Sequence, residues 1–257
     1  MIKSIDLNCD MGESFGAWRM GNDAELMNHV SSINIACGFH AGDATTIRQT
    51  IETGLAKGVA IGAHPSYPDL QGFGRREMSL SPSEVFDAVI YQVAAVKGIC
   101  ESVGGHLTHV KPHGALYNRA ARDKEIAVAI ADAVASIDRD LILLGLAGSM
   151  SITSASERGL HTANEAFADR TYQPGGSLTP RTFANAMIED PQIAAHQALD
   201  IVFHEQVATT TGERIHIMAE TICIHGDRPH AVEFAREIRR VLSENGVIIA
   251  PPTHKDK

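Results

Sequence analysis

The sequence lacks the features that mark membrane-spanning, secreted and nucleotide-cradling proteins. No apolar run approaches the roughly 18 to 20 residues needed to cross a bilayer. The first residues, Met1–Asp6, show no basic stretch followed by an apolar one, so we expect no signal peptide. The chain carries neither the GxxxxGK(S/T) phosphate loop nor the GxSxG nucleophile elbow. These absences argue against a standard nucleotide cradle and an α/β-hydrolase triad.

Cysteine pairs and excess positive charge are also missing. The four cysteines, Cys9, Cys37, Cys100 and Cys223, form no CxxC pair and fit no zinc ribbon or disulfide framework. We therefore expect reduced thiols and a cytoplasmic protein. The formal net charge of −9 argues against nucleic acid or an anionic membrane as the partner, because both favour basic patches. A local pair of arginines could still hold a small anion.

Helix signals recur along the chain between short apolar stretches. Asp43 and Asp123 are placed to cap helices, and Ser81–Glu84 forms a capping box with proline at the first helical position. Pro191 and Pro229 are each expected to begin a further helix. The helical periodicity after each of these positions predicts an apolar face that packs on a sheet.

Eight short apolar stretches alternate with these helices and predict strands. They are Ser4–Asn8, Ser31–Ala36, Val59–Gly62, His106–Val110, Leu141–Leu146, His161–Asn164, Ile215–Ile224 and Val247–Ala250. Repeated β-α alternation favours a parallel sheet, and seven or eight units in one chain favour a closed barrel. No Pro/Gly/Ser linker interrupts the pattern. We expect one α/β barrel domain over residues 1–252, followed by a short tail over 253–257.

Titratable residues follow six of the predicted strands. They are Asp10 and Glu13, then His40 and Asp43, His64, Lys111 and His113, Glu165 with Asp169 and Arg170, and finally His225 and Asp227. Each has an ordinary explanation when taken alone, such as helix capping by Asp43 and Asp227. Barrel enzymes keep their active sites at the rim formed by the carboxyl ends of the strands. The coincidence at one rim therefore predicts an active site.

Two chemistries suit such a rim. Asp10, His40 and His64 could bind zinc or manganese and so activate water, although their spacing fits no compact motif. Alternatively, a carboxylate with a neighbouring histidine acts as general base, and Lys111 or an arginine stabilises the oxyanion. A lysine in such a crowded site can have a lowered pKa.

Two glycine-containing loops are candidates for substrate contact. The loop Gly72–Arg76 ends in Arg75 and Arg76, which could clamp a carboxylate or phosphate in bidentate fashion. The loop Gly175–Arg181 could cover the rim. A solvated loop tip and a plain connector are the respective alternatives.

Several motifs resemble the LamB/YcsF family. They are Asp6–Glu13, Asn34–Asp43, Gly62–Pro65, Val110–Tyr117, Glu165–Arg170 and Ile224–Asp227, and together they extend over nearly the whole chain. The resemblance implies a TIM-like (β/α)7 barrel related to glycoside hydrolases and polysaccharide deacetylases. It also implies ATP-dependent opening of 5-oxo-L-proline to L-glutamate together with two partner subunits, B and C. In the deacetylase relatives an Asp and two His hold a metal, which corresponds by position to Asp10, His40 and His64.

The missing phosphate loop suggests a division of labour within this implied reaction. Our hypothesis is that subunits B and C handle ATP and activate the lactam, while the barrel directs water onto the activated ring. The expected catalytic residues are Asp10, Lys111, His113, His225 and Asp227. The expected substrate contacts are Asn8, Glu13, Arg75, Arg76, Glu165 and Arg170. Two alternatives stay open: an autonomous metal-dependent hydrolase such as a deacetylase, and a non-catalytic ligand-binding subunit.

Overall fold

The computed structural model describes residues 3–226 and 230–254. Its strands are β1 (Ser4–Met11), β2 (Ser32–Ala36), β3 (Ala60–His64), β4 (Leu107–Val110), β5 (Ile142–Leu146), β6 (His161–Phe167), β7 (Gln206–Ala208), β8 (Arg214–His216), β9 (Thr221–Ile224) and β10 (Ile248–Ile249). Within these residues, β1 to β6 and β9 pair in parallel, and β9 pairs back onto β1. The ring confirms the predicted closed barrel of seven strands.

Helices surround this ring. They are α1 (Asp23–Leu26), α2 (Ala44–Lys57), α3 (Pro82–Ser102), α4 (Gly114–Ala120), α5 (Lys124–Ile137), α6 (Met150–Glu157), α7 (Pro191–Leu199), which a π-helical turn (Asp200–His204) extends, and α8 (Ala231–Glu244). The predicted caps are confirmed: Asp43 accepts from the N–H groups of Thr45 and Thr46, and Ser81 forms its capping box with Glu84. No helix among the described residues is long and apolar enough to cross a membrane.

The predicted strand Ile215–Ile224 is wrong as one element. Arg214–His216 forms a small antiparallel hairpin with β7, and only Thr221–Ile224 enters the barrel. Met218, between them, is apolar but has more than half of its surface exposed, so it belongs to the connection and not to a buried strand. The last predicted strand, Val247–Ala250, is realised as β10, which pairs with β1 beside the ring and not within it. The predicted helix start at Pro229 lies outside the described residues.

The barrel interior is polar at its centre. In β1, Asp6, Asn8 and Asp10 alternate with apolar residues that face the helices, as the period of two in a strand requires. Asp6 accepts hydrogen bonds from the hydroxyl groups of Ser31, Ser32 and Thr221. Asn8 donates 2.9 Å across the barrel to Oε1 of Glu165 on β6. This interior column leads from the base of the barrel to its rim.

A histidine ring fills the space beside Gly62 in the barrel interior. A Cβ atom at Gly62 would lie 2.1 Å from Nε2 of His109 on the neighbouring strand, so only glycine fits there. Gly98 in α3 is the opposite case, because it is exposed and a Cβ would meet no heavy atom within 4 Å. Substitution at each glycine therefore tests a different effect, interior packing at Gly62 and helix propensity at Gly98.

We expect Gly62→Ala to lower the free energy of unfolding by about 1–3 kcal/mol or more, because the added methyl group overpacks the interior. Gly98→Ala should raise it by up to about 1 kcal/mol, because alanine favours a helix interior. Chemical denaturation of both variants measures the two changes. Equal stability of Gly62→Ala and the parent protein would contradict the packing described.

Candidate active site

A buried ammonium group lies at the centre of the rim. Lys111 follows β4 and is 2% exposed. Its Nζ lies 2.8 Å from Glu165 Oε1, 2.9 Å from Asp10 Oδ1, 3.1 Å from Asn8 Oδ1 and 3.1 Å from Cys223 Sγ. These neighbours come from three other strands of the barrel, β1, β6 and β9. Lys111 therefore connects distant parts of the interior through charge-assisted hydrogen bonds.

The charges around Lys111 stabilise one another. Although burial alone would lower the pKa of Lys111, the nearby Asp10, with Cys223 and Glu165, raises it well above its usual value. Although burial alone would raise the pKa of Asp10, His64 and Lys111 hold it well below its usual value. The expectation of a lysine with a lowered pKa is thus wrong here, because two carboxylates face the ammonium group.

Two histidines meet next to Asp10. Nδ1 of His64 lies 2.6 Å from the backbone carbonyl of Lys111, and Nε2 of His113 lies 2.9 Å from the carbonyl of Phe73. A carbonyl oxygen only accepts, so both of these nitrogens donate. The remaining nitrogens, His64 Nε2 and His113 Nδ1, face each other at 3.0 Å. In two neutral rings these atoms would oppose their lone pairs, so the arrangement calls for a proton or a cation between them.

His40 and Glu13 complete this cluster. The His40 ring stacks on His113 with centroids 3.9 Å apart, and neither of its buried nitrogens has a hydrogen-bond partner. Oε1 of Glu13 lies 3.9 Å from Nε2 of His40 and 4.0 Å from Nδ1 of His113. One ligand atom from each of Glu13, His40, His64 and His113 lies within 4.8 Å of the others. These four residues, called the histidine cluster below, could hold a metal ion.

The donor set fits a divalent metal. Three imidazoles and one carboxylate are ligands typical of zinc, and imidazole with carboxylate also suits manganese. Burial, together with the neighbouring rings, lowers the pKa of His40 and of His113 well below the usual value, so both rings stay neutral. A neutral imidazole is the form that binds a metal. The unpartnered nitrogens of His40 are otherwise a buried polar group without compensation.

A second pair of titratable residues stands at the end of β9. Nδ1 of His225 lies 2.8 Å from Oδ2 of Asp169, and the His225 ring stacks on Phe167. Although burial alone would raise the pKa of Asp169, His225 lowers it below the usual value. A histidine oriented by a buried carboxylate is the usual arrangement of a general base. His225 also lies within 4.8 Å of Asp10 and Cys223, measured between their ligand atoms.

A cavity of about 940 Å³ opens above these groups. Asp10, Glu13, His64, Lys111, His113 and His225 line it from the barrel side. Arg170, residues 146–149 at the end of β5 and residues 175–182 also line it. In the strand order of the barrel, β5 and β6 lie across the ring from β1 and β2, so these residues form the opposite side. The loop that contains Gly175–Arg181 thus covers the rim, as one of the two predictions for it stated. A volume of this size is typical of a small-molecule site.

The two arginines of the predicted clamp separate. Arg75 lines the cavity and lies over the ring of Phe73 at 4.9 Å, whereas the exposed Arg76 forms an ion pair with Asp69. Their loop packs closely against the histidine cluster. A Cβ atom at Gly74 would lie only 2.9 Å from the ring of His113. Gly74 has a φ of +63°, which also favours glycine. The loop therefore packs on the histidine cluster and brings one of its arginines to the cavity.

Comparison with known proteins identifies the family. The LamB/YcsF family profile matches residues 5–257. The chain belongs to the LamB/YcsF family. The A subunit of 5-oxoprolinase from Bordetella parapertussis is 55% identical over 249 residues, which are 97% of this chain and 99% of that protein. The corresponding 5-oxoprolinase protein of Brevibacillus brevis is 52% identical over 250 residues, 97% and 98% of the two chains.

A solved structure agrees with this membership. The crystal structure of a lactam utilization protein from Thermus thermophilus has a TM-score of 0.91 and 45% identity, covering 96% of this chain and 99% of that one. The family resemblance carried by the sequence motifs is therefore confirmed. Since both chains are matched over nearly their whole length, the LamB/YcsF barrel is the same unit in each.

In this LamB/YcsF chain the predicted site residues lie in three places: in or beside the histidine cluster, below the cavity, and in the cavity wall. His40 and His64 of the predicted metal set join Glu13 and His113, while Oδ2 of Asp10 lies beside them, 3.2 Å from Nε2 of His64. Asn8 and Glu165, predicted as substrate contacts, lie fully buried below the cavity and hold Lys111. Arg170 reaches the cavity wall. Asp227 lies outside the described residues.

Sequence reasoning placed Asp169 at the rim without assigning it a role, and it missed Tyr117. Asp169 directly precedes Arg170 after β6, so its position at the rim was visible, but its partner His225 lies 56 positions away. Tyr117, in α4, lines the cavity near Glu165, and burial with that carboxylate raises its pKa well above the usual value. Tyr117 lies in a short helix that begins without a capping motif, so the sequence did not mark it as a site residue.

His109 forms part of the floor below the histidine cluster. Its Nε2 lies 3.0 Å from Oδ1 of Asn34, and burial, with Lys111 and His64, lowers its pKa to about 3. Because the folded pKa is below the unfolded value, the resulting stability is present above about pH 6.5 and is lost as the pH falls toward the folded pKa.

We expect His109→Gln to flatten the fall in stability at acidic pH. An unfolded histidine gains its proton between pH 7 and pH 5 while folded His109 does not, which costs about 2 kcal/mol. Denaturation curves at both pH values for the parent and the variant measure this difference. The exposed His196→Gln is the matched control, and an equally steep fall in His109→Gln would contradict a neutral, buried His109.

Proposed function

We propose that this chain is the A subunit of an ATP-dependent 5-oxoprolinase and carries the ring-opening step. The reaction, carried out together with partner subunits B and C, converts 5-oxo-L-proline, ATP and two molecules of water to L-glutamate, ADP and phosphate. The observation that carries the proposal is the meeting of ionised Asp10, the histidine cluster and the Asp169–His225 pair at one cavity. The names of the relatives, which refer to 5-oxoprolinase and to lactam utilization, point to a lactam as substrate.

ATP enters this reaction through the partners. The chain has no GxxxxGK(S/T) loop, so subunits B and C would transfer the γ-phosphoryl group of ATP to the lactam carbonyl oxygen and release ADP. Water then attacks the ring carbon in the barrel. The C–N bond breaks and the amine takes up a proton, which leaves an acyl phosphate at the former ring carbon. A second water attacks that carbon, and phosphate leaves with the former carbonyl oxygen. A lactam activated in this way reacts with water far more readily than the resonance-stabilised amide.

Two carboxylates and two histidines are placed to transfer protons or to orient the groups that do. His225, oriented by Asp169, is placed to accept a proton from the attacking water and return it to the leaving amine. Asp10 stays ionised beside Lys111, and its Oδ2 atom lies 3.2 Å from Nε2 of His64. Lys111 faces Asp10 and Glu165, so its main effect is to keep Asp10 ionised and to orient both carboxylates.

The histidine cluster would hold the metal of this site. When bound by Glu13, His40, His64 and His113, a divalent ion supplies Lewis acidity toward water or the substrate oxygen. The chain's own contribution is a preformed set of imidazoles, in which backbone carbonyls fix the rings of His64 and His113. Such second contacts orient a ligand ring and determine which nitrogen faces the ion.

We expect the purified full-length chain, stripped with a chelator, to bind one equivalent of Zn²⁺ or Mn²⁺. His40→Gln should weaken that affinity at least about tenfold, because it removes a ligand whose nitrogens have no other partner. Calorimetric titration and elemental analysis measure the binding, with thermal denaturation as the check of folding and His196→Gln as the control. Undiminished binding by His40→Gln would rule out the cluster as the metal site.

We expect the chain to open 5-oxoproline only when subunits B, C and ATP are present. In that mixture Asp10→Asn should lower kcat at least about 100-fold, because the ionised carboxylate beside His64 is lost. The exposed Asp87→Asn is the matched control and should retain full turnover. Glutamate release measured with and without the partners decides the matter, and substantial ATP-dependent cleavage by the chain alone would contradict the division of labour.

A second candidate, an autonomous metal-dependent hydrolase, is favoured by the histidine cluster itself. Hydrolysis of N-acetylated sugars by the metal-loaded chain, without ATP or partners, would support it. The third candidate, a ligand-binding subunit without catalytic residues, predicts unchanged turnover for Asp10→Asn in the complex. The same set of assays therefore separates the three functions.

A further inference from the structure

The cavity wall opposite the histidine cluster differs from it in charge. This wall, called the basic wall below, consists of Arg170, residues 147–149 and residues 175–182. It contains Arg170 and Arg181 and, in the sequence of these segments, no Asp or Glu. The carboxylates that line the cavity, Asp10 and Glu13, belong to the other side. The two sides are therefore suited to different parts of one ligand.

Ser149 marks the basic wall as a site for an acceptor. It occupies the N-cap of α6 with extended backbone angles, the position from which serine usually accepts a helix N–H. Here its side chain makes no such bond, and its Oγ is buried without any partner although the residue is 8% exposed. A hydroxyl group can donate to an anionic oxygen in the cavity. The adjacent end of α6 adds a partial positive charge.

The two arginines of the wall are held near each other. Arg170 is 6% exposed, and its Nη2 donates to the carbonyl of Thr179 at 2.6 Å. Burial and the nearby Arg181 lower the pKa of Arg170 to about 10, which reflects repulsion between two guanidinium groups. The neighbouring carboxylate, Asp169, interacts with both arginines and also bonds His225. An anion near the two arginines would relieve this repulsion. On Arg170 it would meet Nη1, because Nε and Nη2 already donate to the carbonyls of Ala186 and Thr179.

We propose that the basic wall is an anion subsite, formed by Ser149, Arg170 and Arg181, that binds the anionic oxygens of the substrate. The proposal rests on the proposed function, because it divides one substrate between two ends of the cavity. The ring carbon faces the histidine cluster and Asp10, while the anionic group is held at the opposite wall. Two groups offer this chemistry: the carboxylate of the lactam and the phosphoryl group of its activated form.

Binding to the full-length chain tests the subsite without any turnover. Inorganic phosphate and 5-oxoproline serve as probes in separate calorimetric titrations. Arg181→Gln and Ser149→Ala should each weaken at least one probe about tenfold, because each loses a hydrogen bond to a charged group. Arg48→Gln, which makes the same charge change on the outer helix α2, is the control.

The two probes distinguish the source of the anion. Weaker phosphate binding with unchanged 5-oxoproline binding supports the phosphoryl group, and the reverse supports the carboxylate. The melting temperature of Ser149→Ala should not fall, because its Oγ has no partner to lose. Unchanged binding of both probes in both variants, or no binding by the parent chain, overturns the subsite. Failure of the proposed function would appear separately, as absent turnover with the partners while these binding results stand.

Discussion

The ion pairs of Lys111 with Asp10 and Glu165 are the interaction on which the site depends. A single buried charge in a protein interior is strongly unfavourable, but one ammonium group between two carboxylates offsets much of that cost. Removing Lys111 would take the paired cation from Glu165 and leave Asp10 with His64 beside it. The pairing joins β1, β4 and β6, so the same contacts stabilise the barrel interior and set the charge of Asp10. Structure and chemistry at this rim therefore depend on the same group.

Much of the site could be predicted from where residues fall along the strands. The period of two in β1 places Asp6, Asn8 and Asp10 on one face, and strand ends place His64 and His113 at one rim. Parallel strands in a barrel bring such ends together whatever their separation in the sequence. The fold class and the rim needed no contact information, because local patterns determine them.

Other features depend on contacts that no local pattern encodes. The Asp169–His225 pair joins residues 56 positions apart. Arg75 and Arg76 are adjacent in sequence, but Arg76 pairs with Asp69 and only Arg75 lines the cavity. The place of Glu13 in the histidine cluster depends on its distance from His40, and both residues lie in loops. Loop geometry and side-chain partners therefore determine these three features, which strand periodicity cannot predict.

One side of the cavity carries histidines and carboxylates, and the other side carries arginines. On one side, His40 with its unpartnered nitrogens and the carbonyl-fixed His64 are arranged before any ligand arrives. On the other, Ser149 and Arg170 offer donors to an anion. Such preorganisation lets a site stabilise developing charge without rearranging at the moment of reaction. It suits a small anionic ring that has been activated elsewhere and needs water delivered to one carbon.

The central claim is that the lactam reaches the barrel with its carbonyl oxygen phosphorylated. Following an oxygen isotope tests this most directly, in the mixture of this chain with subunits B and C and ATP. With 5-oxoproline labelled with oxygen-18 at the ring carbonyl, the account predicts that the label appears in inorganic phosphate. Label found only in glutamate, with none in phosphate, would contradict this route, in which water attacks carbon twice and phosphate leaves with that oxygen.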